Sequence, residues 1–235
     1  MERDMENHLQ DLPEPEKWKL MVTAAKKGAT AAGYQLERVP GRGLSNVWKA
    51  SKDGKTRIAP IRTTRDRWFA FPPLDAGKSW KTLDQAELVI VATVDSKEAP
   101  QNIEVYIFPA DEVRERFDKA YAARVKDNQI QKDGFGFWVA LDNDKRGIAA
   151  SVGSGIVDQY KPVAIYSIKS LLEVNGSLDQ QTKPAQTLDT PDDELNEKSE
   201  DFTTIAEVIT WARGRVAQIA GIGVDAVRLE LKLEY

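Results

Sequence analysis

Apolar positions between residues 15 and 33, "PEKWKLMVTAAKKGATAAG", recur at helical spacing: Trp18, Met21, Val22 and Ala25 share one face. Pro15 suits a first helical turn and Gly33 a left-handed stop, so a helix is predicted here. The pattern then changes period. "YQLERV" reads as a short strand that "PGRG" breaks, and "NVWKAS" and "TRIAPIRTT" read as two extended runs around Asp53-Gly54. That dipeptide accepts positive φ at both turn positions, which predicts a tight hairpin. Pro60 cannot donate to a ladder, which predicts an edge position or a bulge at that point.

Further along, "AELVIVATVD" is a near-continuous apolar run, as in a strand covered on both faces. "IEVYIFP" predicts another strand leading into a helix, "ADEVRERFDKAYAARV", with Val113, Phe117, Ala120, Tyr121 and Arg124 along one stripe. Asp111 and Glu112 lie at its start, where the helix dipole favours negative charge. "FGFWVALD" and "GIAASVGSGIVD" read as strands, and "VAIYSIKSLLEV" as a final strand or short helix. In the last segment Thr204 and Glu207 have capping-box spacing ahead of an apolar face, and "VRLELKLEY" alternates strictly. The predicted fold class is α/β (α+β), a central mixed sheet flanked by helices with a C-terminal helix-strand appendage. The expected organisation is a flexible tail (1–14), a main domain (15–174), an acidic disordered linker (175–201) and a docking or oligomerisation unit (202–235).

Composition removes whole classes of chemistry. With no cysteine, thiolate catalysis, disulfides and thiolate zinc sites are excluded. The one histidine, His8, stands in a polar segment, leaving little scope for a triad or an imidazole base. No stretch is apolar enough for a membrane span and the N-terminus lacks a signal-peptide pattern, so a cytoplasmic location is expected. The net charge of −4 is unevenly spread. From Arg38 to Lys81, eleven Lys and Arg face only Asp53, Asp66 and Asp75, whereas residues 175–201 hold eight acids against Lys183 and Lys198. A basic stretch and an acidic stretch in one chain suggest a polyanion-facing surface, with the acidic segment lying across it as a mimic.

The phrases "GYQLERVPGRGLSNVWKASKDGKTRIAPIRTT", "TLDQAELVIVATVD" and "VYIFPADEV" resemble, in order and spacing, the core of the PD-(D/E)xK restriction-endonuclease-like superfamily over residues 15–125. The resemblance implies an Asp and a Glu or Gln that hold Mg²⁺, and a Lys that activates water. Here those positions carry Asn46, Pro60 and Arg62. Proline offers no ligand and arginine stays protonated, so the motif reads as degenerate.

The expected function is therefore non-catalytic DNA or RNA binding, without a cofactor, through Asn46, Lys49, Arg57, Arg62, Arg65, Arg67 and Trp68, where guanidinium and ammonium groups neutralise phosphates and an aromatic ring stacks on bases. Two alternatives stand beside it. One is a Mg²⁺-dependent endonuclease with relocated carboxylates drawn from Glu37, Asp66, Asp84 and Asp95. The other is an antitoxin-like or mobile-element accessory factor that binds a protein partner, or a second copy, through residues 202–235. The glycines of "PGRG" and "GSG" read as turns, and "GFGFW" (134–138) as core packing.

Overall fold

The computed structural model describes residues 8–39, 46–129 and 133–178, together with Arg213 and Arg228. The chain divides into two units, Met1–Asp192 and Asp193–Tyr235, and every element given below lies in the first. The first four residues of the expected acidic linker, 175–178, lie in a helix that ends at Leu178, and the rest of it and the C-terminal helix-strand unit fall outside the described residues, apart from the single residues 213 and 228. No described helix is long and apolar enough to cross a membrane.

The fold is mixed α+β. After a one-turn helix, α1 (His8–Asp11), comes α2 (Glu14–Ala31). Leu9 of α1, within the segment expected to be a flexible tail, is buried. Three antiparallel strands follow: β1 (Gln35–Arg38), β2 (Val47–Lys52) and β3 (Lys55–Thr64). Short strands β4 (Trp68–Phe71), β5 (Pro73–Leu74) and β6 (Ser79–Trp80) lead to β7 (Leu88–Val94) and β8 (Asn102–Pro109). Then come α3 (Ala110–Lys126), β9 (Phe137–Ala140), β10 (Ala164–Ser167) and α4 (Ile168–Leu178). The main sheet runs β1-β2-β3-β7-β8-β10, with β3 and β7 parallel and the other neighbours antiparallel. A two-stranded sheet, β4-β9, packs beside it.

Strand alternation divides the core in two. On one face Ala50, Ala59, Ile61, Ile90, Ala92, Ile103 and Val105 meet Met21, Ala25 and Ala29 of α2. Gly28 makes this fit possible: a Cβ there would lie 2.7 Å from Val105 Cγ1. On the other face Val89, Val91 and Phe108 meet α3 and the inner face of β4-β9. Phe117 is the hub of that side, its ring centroid 5.1–5.3 Å from those of Phe69, Phe71 and Trp80.

Two sequence expectations change. Pro60 is not on an edge but inside the sheet, paired with Val47. It is tolerated because β3 pairs with β2 through Pro60 and with β7 from Ile61 onward, so proline occupies the hand-over. "GIAASVGSGIVD" is no strand: it forms two 3-10 turns, Ala149–Ser151 and Ile156–Asp158. Gly153 and Gly155, at φ of 84° and 85°, bend the chain away from extension, and Gly153 packs so closely on α3 that a Cβ would lie 2.4 Å from the Arg116 carbonyl.

Candidate nucleic-acid interface

The basic run that the sequence offers as one surface is split three ways by the fold. Arg62 points into the aromatic half of the core and is 9% exposed. Its Nε donates to the Ala70 carbonyl at 3.1 Å, Nη1 to the Ile61 carbonyl at 3.1 Å and Nη2 to Thr82 Oγ1 at 2.5 Å, and it lies 4.4 Å over the Phe71 ring. Thr82 holds a φ of 66°, a strained position for a β-branched residue, and its hydroxyl closes this bond.

Arg65 is exposed but engaged. Its two terminal nitrogens chelate Glu14 at the start of α2, at 3.0 and 2.7 Å. Burial pushes the Glu14 carboxyl up, and Lys17 and Arg65 together outweigh this and hold it low. Arg67, at φ 62°, ties three elements together. It donates to both Asp142 oxygens at 2.6 and 2.9 Å, to Glu104 at 3.0 Å and to the Val94 carbonyl at 2.5 Å. Tyr106 donates its hydroxyl to the same Glu104 oxygen at 2.9 Å, and burial followed by that carboxylate pushes its pKa up to about 12. Trp68 is half-buried at the start of β4, opposite Ala140 of β9. The three guanidinium groups are engaged by partners within the protein and do not form one exposed row with Trp68.

The hairpin residues are placed differently. Asp53 and Gly54 take φ of 51° and 72°, and Lys52 pairs with Lys55 across the turn. Directly paired residues share a face. Arg57 pairs with Ala50, which pairs with Leu36; Trp48 pairs with Ala59 and with Arg38. The α2 side of β1–β3 thus carries Arg38, Lys52, Lys55 and Arg57 with Leu36, Trp48, Ala50 and Ala59, and no Asp or Glu. The second half of α2 carries no acid and adds Lys26 to this face, whereas Lys27 turns toward β10 at the far end of the sheet, its Nζ 6.0 Å from the Tyr166 ring. Lys26 Nζ sits 4.2 Å from the Trp48 ring centroid, and Lys52 Nζ sits 5.3 Å from the Tyr34 ring while donating to the Ala32 carbonyl at 2.8 Å. The side chains of Lys55 and Arg57 make no hydrogen bond or ion pair with any described residue.

Lys49 belongs to the opposite face, paired with Glu37 and Ile58. Asn46 is buried at φ 55°, and its carbonyl accepts the Ile61 N–H at 2.7 Å. Sequence reasoning named Arg57 but passed over Lys26, Arg38, Lys52 and Lys55 as site residues. The signal for the strand residues was present: the two-residue turn fixes which side chains share a face.

The remaining acids serve local turns. Asp66 accepts from Thr64 Oγ1 at 2.8 Å and from the Trp68 N–H at 3.1 Å, and Asp84 accepts the Trp80 N–H at 3.0 Å. Asp95 takes the N–H groups of Ser96 and Gln101 and the Asn102 amide, at 2.8–3.0 Å. Burial alone would raise its carboxyl; those donors more than offset it and hold it below the usual range. Glu37 is exposed on β1. Among the described residues, no group of three or more His, Asp or Glu is arranged to hold a metal ion. Of the "GFGFW" aromatics only Phe137 is core, while Phe135 and Trp138 are 44% and 47% exposed. Comparison with family models, curated proteins and solved structures finds no match to this chain.

Proposed function

We propose that the protein binds nucleic acid without cleaving it, holding phosphates against the α2 side of the β1–β3 strands. The observation that carries this reading is that, among the described residues, the face of Arg38, Lys52, Lys55 and Arg57, bordered by Lys26, includes no Asp or Glu, in a chain whose net charge is negative. Cations gathered on one face while acids are excluded from it suit a polyanion rather than a solvated surface of mixed sign. The aromatic rings there support the cations: each ring presents a face to a lysine ammonium, which fixes the ammonium in place.

The order helix, three-stranded antiparallel meander, then a strand parallel to the third supports a degenerate scaffold of the restriction-endonuclease-like kind. Arg62 in the position of that group's water-activating Lys is committed to backbone carbonyls and Thr82, which supports a non-catalytic reading. The test is a fluorescence anisotropy titration of labelled duplex and single-stranded oligonucleotides, with K55A/R57A as the comparison. Micromolar, salt-sensitive binding that the double variant weakens is expected. Salt-insensitive binding, or binding unaffected by the double variant, refutes the assignment.

A further inference from the structure

The two aromatic rings beside the hairpin cations are both enclosed between the core and a lysine. Trp48 packs against the α2-side core, and the Lys26 ammonium stands 4.2 Å from its ring centroid. The indole N–H is buried without a hydrogen-bond partner, so it presents nothing to a ligand. Tyr34 packs against the same cluster and carries Lys52 Nζ at 5.3 Å from its ring. Ala50 and Ala59, between the cations, are fully buried. Exposed rings lie elsewhere: Phe135 and Trp138 belong to β9 and its approach, and β4-β9 packs on the opposite face of the main sheet. Among the described residues, no ring on the basic face is open to stack on a base.

The hairpin also lacks the means to read base edges from this face. Gln35, Ser51 and Thr56 alternate to the opposite one, where the Ser51 and Thr56 hydroxyls bond to each other at 2.8 Å. At the turn itself, between Lys52 and Lys55, stands the exposed Asp53. A tip pushed into a groove would carry that carboxylate into the negative potential between two rows of phosphates. Arg57 is half-buried and lies two residues behind Lys55, about 7 Å back along the strand. We propose, resting on the assignment of this face above, that the protein reads the phosphate backbone alone: it binds duplex without regard to sequence and in preference to single strand. A face with no open ring gains nothing from the unstacked bases of a single strand. Attraction then follows charge density, which is highest on a duplex, with one charge per about 1.7 Å of axis against about 3.4 Å for one strand.

Anisotropy titrations of the full chain with three labelled oligonucleotides of equal length test this: an all-A·T duplex, an all-G·C duplex and a single strand that cannot pair with itself. The two duplexes should bind within about fivefold of each other, and the single strand at least about fivefold more weakly than either. The salt slope should be shallower for the single strand, in the proportion of about 0.7 to 0.9 per phosphate contact. A preference of more than about fivefold between the duplexes, or a single strand bound within about fivefold of them or more tightly, overturns the inference. K55A/R57A distinguishes a wrong specificity from a wrong face, and circular dichroism confirms that it is folded. If it weakens the favoured duplex or the tightly bound single strand, the face remains the binding site and only backbone-only recognition falls. If it leaves every titration unchanged, or if no oligonucleotide binds the wild type, the face falls and this inference falls with it.

Discussion

Replacing Lys55 and Arg57 with alanine removes two cations from the α2 face without breaking a hydrogen bond or ion pair to any described residue. The expected effect follows from counting the charges that reach a phosphate backbone. Five cations, Lys26, Arg38, Lys52, Lys55 and Arg57, line or border the face. At about 0.9 counterions released per duplex phosphate neutralised, losing Lys55 and Arg57 should make the slope of log Kobs against log salt shallower by about 1.8. Between 50 and 200 mM salt the wild type should then lose about 12-fold more affinity than the variant. Arg65→Ala is the control. Its guanidinium is already chelated by Glu14, so the slope should stay within about 0.5 of the wild-type value. The assay is anisotropy with a labelled duplex at five or more salt concentrations, with circular dichroism to confirm folding. An unchanged slope in K55A/R57A, or an equal loss in Arg65→Ala, refutes the assignment of the face.

Gly28→Ala should destabilise the protein, because overpacking against Val105, about 1–3 kcal/mol, exceeds the roughly 1 kcal/mol alanine gains in helix propensity. Val105→Ala should partly rescue it, and denaturant melts of the double-mutant cycle would show that coupling; additive losses would contradict the close approach. Asp95 is held below its unfolded value, so the unfolded state binds more protons as pH falls. Its stabilisation is present above about pH 4 and is lost below it, and Asp95→Asn should flatten that acid limb in urea midpoints taken from pH 7 to 3. Tyr106 shifts the other way. Its contribution is complete below about pH 10 and is lost as pH rises toward about 12, so one tyrosine should ionise late at 295 nm and Tyr106→Phe should remove that late step.

Much of the framework was legible because it is written locally. The helical stripe of α3, the apolar run of β7 and the Asp53-Gly54 turn each depend on residues within a few positions of one another. "GIAASVGSGIVD" misled because its apolar residues look extended, while the two glycines after Val152 take left-handed conformations. The site was harder for a physical reason. Whether a charge in a basic run faces a ligand depends on partners far away in sequence: Glu14 lies 51 positions from Arg65, and Asp142 lies 75 from Arg67. No pattern near residue 65 contains that information.

Parity within the hairpin was nonetheless available from the sequence alone. With Asp53 and Gly54 as the turn, Lys52 must oppose Lys55, so Ala50 opposes Arg57 and Trp48 opposes Ala59. Arg57 and Lys49 then stand on opposite faces, although they look like neighbours in a list of nearby cations. Glu37 falls on the Lys49 side because it alternates with Leu36 and Arg38. A one-residue slip of β1 would carry Glu37 into the midst of the cations and turn Leu36 outward. The apolar demand of the α2 interface, which needs Leu36, Ala50 and Ala59 beneath the helix, therefore also keeps the acid off the basic face. The packing of the core and the sign of the surface are fixed by the same register.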